Sequence, residues 1–141
     1  MHQYGKRELG TGSATNRLPQ CSFFQSMARA AFLSTLAVVL LLALLPDHLL
    51  HALGLAFTSH HDKLNHAAAF ATLSALGSLG WPQQVVRLAV LLALTGAAIE
   101  ILQCVTERDM SVFDWFADCA GMAYGLRTIS WVKEILGEPV I

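Results

Sequence analysis

The sequence predicts an all-α fold: a four-helix transmembrane bundle with a disordered N-terminal tail. Three observations lead there. Of 141 residues, 55% are apolar and only 13% charged, with a mean hydropathy of +0.52, whereas a soluble domain of this size carries about 25% charged residues. Four apolar stretches of near-spanning length follow one another along the chain, and prolines close the first two. Acids and bases nearly cancel, for a formal net charge of -1. That balance removes the broad basic field of a nucleic-acid binder and leaves the lipid bilayer as the expected partner.

Residues 1–27 are polar, rich in Gly, Ser, Thr and Asn, and carry Lys6, Arg7 and Arg17. They lack the apolar content for a core and read as a disordered tail. Met27 opens a run, MARAAFLSTLAVVLLLALLP, that also reads as an alternative start. The first span covers 28–45 and stops at Pro46. It lacks a persuasive small-x-small cleavage site, sits behind a long polar tail and is expected to be retained. HLLHALGLAF (48–57) suits a short amphipathic helix lying on the outer surface. The second span covers 63–81 and stops at Pro82; the third covers 85–105 and the fourth 112–132, leaving a short tail, 133–141. Each is near the roughly 20 residues that a helix rising ~1.5 Å per residue needs to cross a ~30 Å hydrocarbon core.

Lys and Arg set the orientation. With the N-terminus inside, the inner segments hold Lys6, Arg7, Arg17, Arg29, Arg87, Arg127 and Lys133, and the outer loops only Lys63 and Arg108. Both termini are therefore expected in the cytoplasm. Trp81 and Trp131 then fall at inner ends and Trp115 at an outer end, in the headgroup layers where indole rings collect.

On this topology most ionisable groups gather at the outer side. Asp62, Lys63 and His66 begin the second span, Glu100 and Gln103 end the third, and Asp114 and Asp118 begin the fourth, after a loop holding Glu107, Arg108 and Asp109. At ~1.5 Å per residue, Glu100 lies roughly 8 Å and Asp118 roughly 10 Å below the outer boundary. Asp62 and His66 share a face (i,i+4), as do Glu100 and Gln103 (i,i+3), and Asp114, Asp118, Gly121 and Gly125 form one stripe. Small residues at G-x-x-x-G spacing let helix backbones approach, so that stripe is expected to face a neighbouring helix. A carboxylate costs about 2.5–3.5 kcal/mol at the centre of a span and is rarely left without a partner or a use. Lys63, Arg108 and His66 are the candidate partners of Asp118.

These features also have plainer readings. Ser111-x-x-Asp114 matches a capping box at the start of the fourth span. The glycine pair reads as packing alone, Arg108 as a solvated loop charge, and Glu100 as half of a structural ion pair. Cys104 and Cys119 read as small apolar residues, and three scattered cysteines make no disulfide framework. His48, His51, His60, His61 and His66, with Asp47 and Asp62, would be the material for a metal site, but they follow no ligand spacing. Neither metal nor cofactor is expected.

The ordered set DKLNHAAAF (62–70), IEILQ (99–103), R-x-x-S-x-x-D (Arg108, Ser111, Asp114) and the spaced Gly121 and Gly125 resembles the VanZ-like family of small bacterial membrane proteins. The likeness covers roughly 28–130. It implies a helical domain in the bacterial cell membrane and, through the family's namesake, a link with resistance to teicoplanin-type glycopeptides. Asp62, Lys63, His66, Glu100, Gln103, Arg108 and Asp114 match the family pattern. Position 118, where Asn is common, holds Asp118, and Thr106-Glu107 replaces a proline-containing turn.

The expected function is a non-enzymatic envelope factor with an outward-facing polar site. Lys63 and Arg108 would supply charge for a phosphate or carboxylate, oriented by Glu100, Gln103, Asp114 and Asp118, on an envelope lipid precursor or another membrane protein. The alternative is a membrane enzyme acting on a lipid-linked phosphate. In that reading His66 is the acid or base, Asp62 orients it and Glu100 is a further catalytic candidate. Ion transport ranks last, because the inner halves of the second and third spans are nearly free of ionisable groups.

Overall fold

The computed structural model describes residues 18–52, 62–103 and 111–137. Within them the chain is all-helical: α1 (Leu18–Leu44), α2 (Asp47–Ala52), α3 (Asp62–Gly80), a 3₁₀ turn (Pro82–Gln84), α4 (Val85–Gln103) and α5 (Val112–Ile135). The expected disorder of residues 1–17, the second half of the 48–57 helix, Cys104 and Arg108 lie outside the described residues.

Two boundaries correct the sequence expectations. α1 begins at Leu18, so ten residues assigned to the tail are helical. Pro19 falls in the first turn, where its missing N–H costs no hydrogen bond, and Phe23, Phe24 and Met27 prolong the exposed apolar surface. At the other end α5 runs to Ile135 before Gly137, at φ 69°, takes the chain out of the helix.

Hydrogen bonds and close approaches fix how the helices run. α3 and α5 are parallel, with His66 beside Asp118, Ala67 beside Gly121 and Ala71 beside Gly125. A Cβ on Gly121 would collide with the Ala67 carbonyl, and one on Gly125 with the Ala71 carbonyl and the Ser74 hydroxyl. Two small pairs with matching four-residue spacing thus bring two backbones together, as the stripe on α5 implies. Ser74, fully buried, shares its proton between Ala71 O (3.0 Å) and Met122 O (3.1 Å), which ties α3 to α5. α4 runs antiparallel to α5: Gly96 faces Asp118, and Glu100 faces Ser111.

α1 lies antiparallel to α3. Arg29 Nε donates to Gly80 O at 2.8 Å, and the guanidinium lies 5.3 Å above the Trp81 ring, which meets Phe32 edge-on. Arg29 therefore caps a carbonyl at the C-terminal end of α3, where cations are favoured. The apolar core is small: Phe32, Phe70, Leu73, Leu88, Leu92 and Ile99.

α1 and α4 are long and apolar enough to cross a membrane, each containing a segment of mean hydropathy 2.2. α3 and α5 fall short because they carry most of the polar residues. Trp115 stands in the first turn of α5. It is half-buried, and its indole donates to Ala93 O at 3.0 Å, so the N–H is satisfied by α4 rather than by water.

Candidate functional site

The first turns of α3 and α5 and the last turns of α1 and α4 meet at one end of the bundle. Three acids are buried there: Glu100 (5% exposed), Asp114 (3%) and Asp118 (0%). Helical spacing explains two of them, since Asp114 and Asp118 lie one turn apart on the face of α5 that Gly121 and Gly125 turn inward. Gly96 makes room for the third helix: a Cβ there would stand 2.6 Å from Asp118 Oδ2 and 3.3 Å from the Trp115 ring.

Each acid meets another helix. His66 Nδ1 lies 2.9 Å from Asp118 Oδ1, joining α3 to α5. Lys63 Nζ lies 3.3 Å from Asp114 Oδ1, an ion pair without the alignment of a hydrogen bond. Glu100 Oε2 accepts the Ser111 N–H at 2.9 Å, while Glu100 Oε1 is buried and accepts no hydrogen bond. Ligand atoms of His66, Glu100 and Asp118 all lie within 4.8 Å of one another.

Several candidates therefore take more specific roles than the sequence assigns. The capping-box reading of Ser111 changes. Its backbone is extended as an N-cap residue should be (φ -132°, ψ 109°), yet its side chain makes no cap bond. The acid that reaches the cap N–H comes from Glu100 on another helix, and Asp114 is left for Lys63. Gln103 Nε2 donates to Ala43 O at 3.2 Å and so satisfies a carbonyl in the last turn of α1. Of the expected partners of Asp118, His66 makes the contact. Asp62 opens α3, but its side chain lies outside the described ones, as does all of Arg108; the carboxylate seen to orient His66 is Asp118.

Lys63 stands at the edge of the cluster with its side chain 63% exposed, whereas that of His66 is 12% exposed. The layer thus grades from a solvent-accessible ammonium to a buried imidazole and carboxylates. Such a gradient suits a ligand whose charged group enters from the end of the bundle. A separate cavity of about 250 Å³, bordered by Ser78, Val85, Ile129 and Lys133, opens at the opposite end, with no acid among its described lining residues. Comparisons with protein-family models, with characterised proteins and with solved structures find no match to this chain.

Proposed function

We infer that this chain is a multi-span membrane protein of the cell envelope, VanZ-like in kind. On this reading α1, α3, α4 and α5 cross the bacterial cell membrane and both termini are cytoplasmic. It acts as a non-enzymatic factor that binds a polar group of an envelope lipid precursor, or of another membrane protein, at its outward-facing end. The observation that carries this reading is the convergence of buried acids and a histidine from three helices at one end of an apolar-surfaced bundle.

The surface supports the membrane part. Among the described residues, seven apolar side chains are buried while twenty-two large ones are exposed. In water such a surface would be an aggregation liability, whereas in lipid it meets a solvent of its own kind. The low hydropathy of α3 and α5 fits the same picture. Their Ser74, Ser78, Asp114 and Asp118 are buried, while Phe113, Phe116, Tyr124 and Trp131 lie outside.

Quantifying lipid-linked envelope precursors in a bacterial host with and without the gene tests the reading. Precursor pools and teicoplanin tolerance are expected to follow the gene and to revert in Lys63→Ala and His66→Ala alleles at unchanged membrane abundance. Pools indifferent to the gene and to both alleles would count against it. The His66–Asp118 contact favours one second reading, a membrane enzyme in which Asp118 orients His66 as acid or base toward a lipid-linked phosphate. Turnover of an isoprenoid phosphate by purified protein, abolished by His66→Ala, would establish that reading instead.

A further inference from the structure

We propose that His66, Glu100 and Asp118 form a binding site for one divalent first-row cation of the zinc class, and that its open coordination position receives the anionic group of the ligand. The proposal rests on the polar layer being a ligand site and names what would hold the ligand there.

The donor set is the first argument. One imidazole nitrogen and two carboxylate oxygens, without sulfur, suit zinc and its borderline neighbours better than soft monovalent ions. Three protein ligands also leave a position open for water or an anion, as in zinc sites that engage substrates. The distances are the second argument. Two ligands ~2.1 Å from a tetrahedrally coordinated ion stand about 3.4 Å apart, and His66 Nδ1 and Asp118 Oδ1 are separated by 2.9 Å. The three donors fall within 4.8 Å of one another, so side-chain movements of up to about 1.4 Å close a tetrahedral shell.

The third argument is Glu100 itself. It is 5% exposed, one oxygen is engaged by the Ser111 N–H, and the other, Oε1, is buried without a hydrogen bond. Buried acceptors are ordinarily satisfied. A cation bridging Oε1 to its neighbours satisfies it, and the Ser111 bond becomes the outer contact that orients a metal-binding carboxylate. The sequence hides this set, because its one histidine and two acids lie on three different helices.

The test is a Zn²⁺ titration of the full chain in detergent, purified through a histidine-free tag and stripped with chelator, followed by X-ray absorption of the bound metal. One equivalent per chain is expected, in a nitrogen and oxygen shell with a single imidazole. Glu100→Gln, which keeps an acceptor for Ser111, and Asp118→Asn should each weaken binding at least about tenfold. The His60→Ala/His61→Ala double variant should bind as wild type does. No saturable binding by wild type, a shell with sulfur or several imidazoles, or loss of binding in the His60/His61 double variant would overturn the site. The absorption spectrum uses wild-type protein and holds even if a variant fails to fold. Because the titration contains no envelope ligand, its failure removes the cation alone. Bound metal with unchanged precursor pools removes the envelope reading alone.

Discussion

Replacing Gly121 by alanine should damage the bundle and the polar layer together. A Cβ at this position would stand 2.6 Å from the Ala67 carbonyl carbon and 2.7 Å from Ala67 Cα, where ordinary contact begins at 3.4 Å. These are backbone atoms, so no rotamer change relieves the overlap, and α3 and α5 must part locally by roughly 0.8 Å or more. Ala67 follows His66 directly, and Asp118 lies three residues before Gly121 on the same face. The same displacement carries the 2.9 Å His66–Asp118 contact to about 3.7 Å, beyond hydrogen-bond reach. Overpacking of this kind costs about 1–3 kcal/mol, equivalent to a fall in unfolding midpoint of roughly 3–9 °C for a chain of this size. Thermal unfolding in detergent reads the first effect, and ¹⁵N-imidazole NMR of His66 reads the second. Ala123→Leu, on the exposed side of the same helix, should stay within about 0.5 kcal/mol of wild type. A Gly121→Ala protein as stable as wild type, with an unchanged His66 spectrum, would refute the parallel close approach and the coupling drawn from it.

Other expectations rest on single contacts. Arg29→Ala should lose about 1 kcal/mol through the vacated Gly80 carbonyl and the lost contact with Trp81, and Arg29→Lys should restore only part of it, as thermal unfolding would show. Ser74→Val should destabilise more than Ser74→Ala, because its extra methyl meets the Gly125 backbone while both lose the bond to Met122 O; midpoints of the two variants compared side by side check this. Trp115→Phe should cost about 1 kcal/mol by leaving Ala93 O without its indole partner, seen as a lower midpoint.

How far these contacts are legible in sequence depends on their range along the chain. Pro46 and Pro82 mark the ends of α1 and α3 to within two residues, because proline interrupts a helix by local sterics. The stripe of Asp114, Asp118, Gly121 and Gly125 is a property of one helix, and all four are buried as periodicity expects. The start of α1 is hidden because Gln20, Ser22, Gln25 and Ser26 dilute its apolar residues, and helical pattern alone does not separate that turn from a polar tail. The pairing of His66 with Asp118 and the acceptance of the Ser111 N–H by Glu100 cross between helices. Spacing rules within one helix favour Asp62 for His66 and Asp114 for Ser111 instead.

The Glu100–Ser111 bond has a consequence for the entropy of assembly. It closes a segment of 11 residues, whereas the His66–Asp118 contact spans 52. The entropy lost on closing a loop rises with its length, so the Glu100–Ser111 contact costs less to close than the His66–Asp118 contact. The polar layer therefore joins one short-range latch to a contact that brings α3 and α5 together from 52 residues apart.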